Sequence, residues 1–239
     1  MVVKDTIITK YGIIAFCLTL VAAFPSFDQS FTNTPPTTTT TTLFQKAAAG
    51  VMKGPLSQPP RPNPCTYWVS DHLMAGEHPT DKRGLDPSRA KLARYLDAGI
   101  SVFIDLTEEG QKPAYQDLVQ EVAQEKDSTT ATNIEYHRLA VPDFGIPGVP
   151  LMKQILDTID DAVERDKKVY VHCAGGIGRT GTTVGCYLVR HGNDGTIALQ
   201  EVNRLFQNSD RSMESYNSPE TREQMNFVRY WEDEKSSSG

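Results

Sequence analysis

One short segment constrains the fold more than any other part of the chain. A strand-like apolar run at 169–172 leads directly into a glycine-rich loop, and a helix-forming stretch at 182–190 follows. In the loop, Cys173 and Arg179 are separated by five residues, of which three are glycine. A strand that turns tightly into a helix points several backbone N–H groups at one spot, where they and the positive helix end favour an anion. The segment therefore predicts an anion-binding loop with a cysteine at its base.

Cysteine and arginine together indicate phosphate chemistry in this loop. The guanidinium of Arg179 is a planar fork that can donate to two phosphate oxygens, and the surrounding amides favour the nucleophilic thiolate of Cys173. A lone cysteine is more often an unreactive buried side chain, but that interpretation does not explain an arginine and three glycines in one loop. We expect Cys173 to be a nucleophile and the intervening residues to bind phosphate: Ala174, Gly175, Gly176, Ile177 and Gly178.

Two other phosphate-binding motifs do not fit the sequence around this loop. Residues 176–181 match the dinucleotide fingerprint G-x-G-x-x-G, but that fold requires a second strand after the helix, and here a turn at 193–195 leads into another helix. A nucleoside triphosphate loop requires a lysine where Arg179 stands. The sequence therefore excludes a dinucleotide-binding fold and a nucleoside triphosphate loop.

The run His172-Cys173, five residues, Arg179-Thr180 resembles the signature loop of the cysteine-dependent protein tyrosine and dual-specificity phosphatases. The resemblance covers roughly residues 65–234. We expect His172 to order the loop through hydrogen bonds to its backbone, although a histidine that merely ends a strand would look the same. The hydroxyl of Thr180 is suited to donate to the sulfur when the sulfur leaves, and the alternative is an ordinary helix cap.

Asp143 is the candidate for the acid that protonates the leaving oxygen. It lies 30 residues before Cys173, in a segment (141–147) that resembles the mobile general-acid loop of the same family. Proline and glycine flank it, as a loop that closes over a substrate requires, but the same residues also form common surface turns. Beside the signature loop, we expect Asp143 to be catalytic together with Cys173 and Arg179.

A late segment, 220–224, resembles the glutamine motif with which this family positions the water that hydrolyses phosphocysteine. The leading glutamine of the motif is replaced by Glu220, and its second glutamine matches Gln224. A solvated helix start accounts for the segment equally well. A further segment, 108–115, borders the pocket under one hypothesis, but an exposed loop is the interpretation that we favour.

The order of elements predicts an α/β domain with a central, mostly parallel sheet flanked by helices, as in the protein tyrosine phosphatases. The expected strands are 66–69, 73–75, 100–106, 133–141 and 169–172. The expected helices are 88–98, 113–125, 149–165, 182–190, 196–206 and a last one capped by Ser218, with Pro219 in its first turn, that runs to about Trp231. The catalytic domain is predicted to span 65–234, with a short tail at 235–239.

The first 64 residues differ in composition from the rest. Residues 1–23 contain an apolar run of 11 residues, Ile13 to Ala23, which is short for a membrane span of about 20 residues but suits the core of a signal peptide. Residues 24–64 are rich in Thr, Pro and Ala and carry one acidic residue. We expect them to form a disordered linker or a transit-type segment, since they cannot bury enough apolar area.

Such a beginning predicts entry into the secretory pathway, with brief membrane contact through residues 11–24 before cleavage. Ala22-Ala23-Phe24-Pro25 resembles the import junction of plastid proteins in algae with secondary plastids, and a reducing compartment suits a thiolate enzyme. Plastid import and secretion are equally supported, and a signal anchor is the third choice.

The charge and the remaining composition exclude several classes of partner. The net charge is −6, and beyond residue 64 the chain has 19 basic and 28 acidic residues, so we expect no nucleic acid. Four cysteines are too few for a disulfide scaffold, and the five histidines show no ligand spacing, so we expect neither a metal nor another cofactor. Nothing in the sequence signals an oligomer, and we expect a monomer.

The predicted reaction is hydrolysis of phosphate monoesters through a cysteinyl-phosphate intermediate. The resemblance implies a phosphorylated protein as substrate, carrying phosphotyrosine and, in the compact dual-specificity type, phosphoserine or phosphothreonine. Loop residues 174–178 include no lysine, whereas the inositol-phosphate branches of the superfamily often have lysines there. The alternatives are a lipid, inositol or carbohydrate phosphate as substrate, and a phosphate-binding module without catalysis.

Overall fold

The structure, a computed structural model, describes residues 60–127, 133–215 and 217–232. The predictions for the signal-like segment 1–23, for most of the linker and for the tail 235–239 lie outside these residues. Residues 61–64 of the predicted linker are described, and they contact the domain. Asn63 is buried, and its Oδ1 accepts a hydrogen bond of 2.6 Å from Arg94.

A five-stranded sheet forms the centre of the domain. Its strands are β1 (Thr66–Trp68), β2 (Leu73–Gly76), β3 (Ile100–Asp105), β4 (Glu135–Arg138) and β5 (Lys168–His172). Their order across the sheet is β1-β2-β5-β3-β4. Only β1 and β2 pair antiparallel, as a hairpin, and the other three pairs are parallel. The predicted mostly parallel sheet is confirmed.

Helices cover both faces of the sheet. They are α1 (Leu85–Asp97), α2 (Gln116–Lys126), α3 (Val149–Glu164), α4 (Gly178–Arg190), α5 (Gly195–Phe206) and α6 (Arg222–Arg229), with a short 3₁₀ helix at Asp210–Met213. In β3, Val102 and Ile104 pack in the core that contains α3 to α6, whereas Phe103 faces the core of α1 and α2. This alternation follows from the two-residue period of a strand. None of the helices in the described ranges is long and apolar enough to cross a bilayer.

The sheet order fixes where the signature loop lies. Strand β5 runs between β2 and β3, and His172, at its end, pairs with Gly76 on one side and Asp105 on the other. Parallel strands present their carboxyl ends at one edge of a sheet, where loops form ligand sites. The loop that begins at Cys173 therefore lies at the middle of that edge, beside the segment that follows β3.

The prediction for the last helix was wrong at its start. Helix α6 begins at Arg222 and its cap is Thr221, whose Oγ1 accepts from the N–H of Gln224 while Gln224 Oε1 accepts from the N–H of Thr221. This reciprocal capping box satisfies two backbone donors, which a Ser-Pro start does not. The hydroxyl of Ser218 instead donates to the carbonyl of Ile177, over a distance of 2.8 Å.

Helix α4 also begins earlier than expected, at Gly178 rather than residue 182. It packs closely on α6, because a Cβ built at Gly185 would lie 2.6 Å from a methyl group of the buried Val228. We expect Gly185→Ala to reduce the free energy of unfolding by about 1–2 kcal/mol, since the clash outweighs the gain in helix propensity. Urea unfolding measures this effect.

The matched control is Gly148→Ala. A Cβ at Gly148 would meet only Pro150 Cδ, at 3.8 Å, so a change below about 1 kcal/mol is expected. Equal effects of the two substitutions would show that the contact between α4 and α6 is not tight.

Candidate active site

Cys173 lies at the base of the loop between β5 and α4 and is 3% exposed. The N–H of Gly176 donates to its Sγ over 3.3 Å, an interaction that favours the anionic sulfur. Gly176 has a φ of +76°, and a Cβ there would lie 2.3 Å from the carbonyl carbon of Gly76. Only glycine fits this position, so the glycine at 176 is required for the loop to wrap around the sulfur.

A pocket of about 190 Å³ opens above the sulfur. Cys173, Arg179 and Asp143, the three residues predicted to be catalytic, all line it. The other lining residues are Ala174, Gly175, Ile177 and Gly178 of the loop, together with Phe144, Glu220 and Gln224. Gly176 was also expected to bind phosphate, but it is not among the lining residues and its N–H is directed at the sulfur.

The guanidinium of Arg179 is buried and is held by four acceptors. Its Nη1 donates to the carbonyls of Val141 (3.0 Å) and Leu106 (3.3 Å) and to Gln111 Oε1 (2.8 Å). Its Nη2 donates to Asp143 Oδ1 over 2.7 Å. Because a buried charge is costly unless its hydrogen bonds are satisfied, these acceptors explain how the side chain remains in the pocket.

The segment around Asp143 forms a turn whose carboxylate points into the pocket. The N–H of Gly145 donates to the Pro142 carbonyl (3.0 Å), and the intervening Phe144 has a φ of 57°. The N–H of Asp143 donates to Glu108 Oε2 over 3.1 Å. The segment is therefore a turn at the pocket, and the acid role of Asp143 stays a prediction.

Gln224 connects this turn with the signature loop. Its side chain is fully buried, and its Nε2 donates to the carbonyl of Gly145 over 3.0 Å. It also packs against Gly178, where a Cβ would lie 2.9 Å from the amide of Gln224. The solvated-helix interpretation is thus wrong for Gln224, whereas Glu220 is exposed at the pocket wall. Their role in positioning water stays a prediction.

The segment 108–115 is part of the site, contrary to the interpretation that we favoured. Gln111 contacts Arg179, Glu108 contacts the backbone of Asp143, and the hydroxyl of Tyr115 donates to His172 Nε2 over 2.6 Å. A signal for this was present in the sequence. Polar residues that follow a buried strand lie at the carboxyl edge of a parallel sheet, where ligand sites form.

His172 holds the loop from below, as predicted. Its Nδ1–H donates to the carbonyl of Cys173 over 3.1 Å, since its Nε2 already accepts from Tyr115. Complete burial lowers the pKa of His172, which favours the neutral ring that this arrangement requires. The hydroxyl of Thr180 is buried and has no hydrogen-bond partner in the described residues, so its donation to the sulfur stays a prediction.

A buried polar cluster surrounds His172. Donor atoms of His78, Asp105 and His172 lie within 4.8 Å of one another, a spacing that would suit a metal ion. Both oxygens of Asp105 are already occupied, however, by hydrogen bonds from Thr107 and Tyr136. Both ring nitrogens of His172 are occupied as well. The donor set fits a hydrogen-bond network and not a metal site.

Protonation of this cluster is opposed by its burial. Burial, together with the neighbouring His172, lowers the pKa of His78 to about 3. Burial raises the pKa of Asp105, but His172 and the hydrogen bonds from Thr107 outweigh it and the pKa lies below its usual value. The cluster therefore contains neutral histidines beside a carboxylate at neutral pH.

Comparison with known proteins finds a family to which part of the chain is similar. Residues 80–193 match the family model described as a polymorphic toxin system DSP-PTPase phosphatase. This segment contains the signature loop, Asp143 and the segment 108–115. Over this segment, the chain is similar to the cysteine-dependent dual-specificity phosphatases.

Individual relatives cover different parts of the chain. The mouse dual specificity protein phosphatase CDC14B is 36% identical over 62 residues, which are 26% of this chain and only 12% of that protein. The structure of Tk-PTP in its active form matches with 26% identity and a TM-score of 0.53, covering 70% of this chain and 95% of that one. PTPMT1, solved in complex with PI(5)P, matches with 16% identity and a TM-score of 0.51, which shows the fold alone. The PTPMT1 match covers 69% of this chain and 92% of that one. The shared fold does not decide the substrate of this chain.

The low pKa values of the buried histidines give this phosphatase domain a pH-dependent stability. Unfolded histidines titrate near about 6.5, so below that pH the unfolded state binds protons that the folded state does not. The stability that each neutral histidine contributes is fully present above about pH 6.5. Below that pH the free energy of unfolding decreases by up to about 1.4 kcal/mol per pH unit for each histidine. Urea unfolding measures this effect. Between pH 7 and pH 5, we expect the free energy of unfolding of His78→Gln to fall by about half as much as that of the wild type.

His191→Gln, which removes a histidine outside the cluster, is the control for the loss of any histidine. A pH dependence in His78→Gln as steep as in the wild type would show that His78 does not contribute.

Proposed function

We propose that this protein hydrolyses phosphate monoesters in two displacements through a cysteinyl-phosphate. One observation carries the proposal: the sulfur of Cys173, the guanidinium of Arg179 and the carboxylate of Asp143 line a single pocket of about 190 Å³. Nucleophile, anion binder and acid are the three groups that this reaction requires. The mechanism rests on chemistry that these side chains can supply by themselves.

In the first displacement, the Cys173 thiolate attacks phosphorus and the bond from phosphorus to the ester oxygen breaks. Arg179 and the loop amides bind the remaining phosphate oxygens, which carry the charge of the transition state. Asp143 transfers its proton to the leaving oxygen, so the alcohol or phenol departs neutral. The product on the enzyme is a phosphate bonded to sulfur.

In the second displacement, water replaces the sulfur. The Asp143 carboxylate takes a proton from the water, whose oxygen attacks phosphorus while the bond from sulfur to phosphorus breaks. Phosphate leaves the pocket, and the Cys173 thiolate is regenerated. The proposal assigns the orientation of that water to Gln224 and Glu220, which line the pocket.

The bond between Arg179 and Asp143 has a role in this scheme. Asp143 Oδ1 occupies Nη2 of Arg179 at 2.7 Å, a donor that a phosphate oxygen would also use. An entering phosphate competes for this donor and releases the carboxyl group toward the leaving oxygen. The turn stays in place through the contacts of its backbone with Glu108 and Gln224.

For the substrate, we propose phosphotyrosine in proteins, with phosphoserine and phosphothreonine as further possibilities of the same pocket. The support is the lack of lysine in the loop 174–178, an aromatic side chain, Phe144, that is 60% exposed at the pocket, and relatives that are protein phosphatases. A lipid, inositol or carbohydrate phosphate is the alternative. Assays of released phosphate from each class, run side by side, distinguish them.

The proposal is tested with p-nitrophenyl phosphate in the presence of a chelator. We expect the wild type to turn over and Cys173→Ser to lose at least about 10³-fold in kcat, because the serine hydroxyl is not ionised at neutral pH. Cys173→Ser should still bind inorganic phosphate through Arg179 and the loop amides. Activity that is strictly dependent on a divalent ion would contradict the mechanism, and a wild type that binds phosphate without turnover would indicate a binding module.

The acid role of Asp143 is tested with leaving groups of different basicity. Asp143→Asn keeps an acceptor for Arg179 but has no proton to donate. We expect it to slow phenyl phosphate by about 10²–10³-fold and an activated ester with several nitro or fluoro groups by less than about tenfold. Measurements of kcat on both esters decide the point, since equal slowing would remove Asp143 from the acid role.

A further inference from the structure

A charged side chain from outside the signature loop binds the backbone of that loop. Arg211, in the 3₁₀ helix, donates from its Nε to the carbonyl of Gly175 over 3.2 Å. Its Nη2 would lie 3.4 Å from a Cβ built at Gly175, so the guanidinium also packs against this glycine. The segment after α5 is thereby joined to the loop that contains the nucleophile.

The peptide group that Arg211 binds is the same one that donates to the nucleophile. The carbonyl of Gly175 and the N–H of Gly176 belong to one planar trans unit, in which C=O and N–H point in opposite directions. The N–H of Gly176 donates to Cys173 Sγ over 3.3 Å. The bond to Arg211 at one end therefore fixes the direction of the N–H at the other end, and a cationic donor on the carbonyl also polarises that N–H.

Glycine on both sides makes this peptide group easy to rotate. Neither Gly175 nor Gly176 has a Cβ, and Gly176 has a φ of +76°, a region that glycine enters without steric cost. A flip of the peptide group would point the carbonyl oxygen at the sulfur, and its partial negative charge would disfavour the thiolate. A contact that holds the carbonyl on the outside of the loop therefore stabilises the anionic sulfur.

Arg211 is itself held in place by two carboxylates. Glu214 pairs with its Nη1, and Glu77, which follows β2, has its Oε2 3.6 Å from Nε. The Oε1 of Glu77 in turn lies 2.6 Å from Lys91 Nζ. These pairs order a long side chain that is 24% exposed, so less conformational entropy is lost when it binds the loop.

We propose that Arg211 is a positioning residue for the nucleophile: it holds the peptide group between Gly175 and Gly176 so that the N–H points at Cys173 and stabilises the thiolate. The inference rests on the function proposed above. Arg211 does not line the pocket that contains the sulfur, so it acts through the backbone of the loop.

The other ionisable groups near the sulfur and near Arg211 are retained in the variants that test this role. Those around the sulfur come from the pocket wall, the floor of the loop and β1, and they are Arg179, Asp143, Glu220, His172 and Tyr67. Those around Arg211 are Glu77, Glu214 and Cys65. A change in the pKa of Cys173 in these variants therefore reports the loss of Arg211.

The test measures the pH dependence of alkylation of Cys173 by iodoacetamide in the full chain, with the modified cysteine identified by mass spectrometry. Because the thiolate is the reactive form, the midpoint of the profile gives the pKa of Cys173. We expect the midpoint of Arg211→Met to lie about one pH unit above that of the wild type, since the sulfur loses an oriented donor. Below the wild-type midpoint, kcat/KM for p-nitrophenyl phosphate should fall about tenfold, and on the plateau by less than about threefold.

Arg204→Met is the matched control. Arg204 lies on α5 and pairs with Glu201 over 2.6 Å, so this variant also removes one positive charge and one ion pair between residues three apart. Its midpoint should equal that of the wild type. An equal shift in Arg204→Met and Arg211→Met would overturn the inference.

Arg211→Lys separates the hydrogen bond from the charge. Lysine keeps the positive charge but lacks the planar fork that donates to Gly175 while it pairs with both glutamates, so we expect at least about half of the shift of Arg211→Met. The shift should persist at high salt, because salt screens the field of a nearby cation but does not restore a lost hydrogen bond. A wild-type midpoint in Arg211→Lys, or a shift that disappears at high salt, would show that only the charge matters.

The remaining outcomes also decide the inference. An Arg211→Met protein that is less stable to urea but has the wild-type midpoint would assign Arg211 to the stability of the fold and overturn the positioning role. If Arg211→Met does not fold, the midpoint of Arg211→Lys decides. Alkylation does not require turnover, so a wild type that fails to hydrolyse p-nitrophenyl phosphate contradicts the proposed function, whereas a shifted midpoint still supports the role of Arg211.

Discussion

The buried guanidinium of Arg179 is the point on which the site depends. A positive charge in a protein interior is costly unless its donors are all satisfied, and here the acceptors come from two other segments. Leu106 and Gln111 follow strand β3, and Val141 and Asp143 belong to the segment that forms the turn around Asp143. The same side chain, which we propose as the anion binder, thus joins the signature loop to both neighbouring segments.

This arrangement requires the central place of β5 in the sheet. Because β5 runs between β2 and β3, the loop after it contacts the ends of both strands. On the side of β2, Gly176 closely approaches Gly76. On the side of β3, His172 pairs with Asp105. Below the loop, neutral histidines and hydrogen-bonded tyrosines form its floor.

Much of the fold could be predicted from local pattern. Strands rich in Val and Ile, such as β3 and β5, and helices with an apolar stripe, such as α3, were located within a few residues, since burial imposes a pattern that the sequence shows. The start of α6 was predicted wrongly, because a Ser-Pro pair and a Thr-x-x-Gln box both signal a helix start. Only the Thr-x-x-Gln box satisfies backbone donors in the initial turn of the helix, whereas Ser218 of the Ser-Pro pair contacts Ile177.

The sequence by itself determined that Cys173, the glycine-rich loop and Arg179 lie together, because these residues are adjacent in one short loop. Only the tertiary structure decided which contacts the distant residues of the site make with one another. Gln111 is 68 residues from Arg179 and Gln224 is 79 residues from Gly145, and only the order of the strands brings them together. Contacts between such segments depend on packing across the whole sheet, which leaves no periodic or contiguous pattern in the sequence.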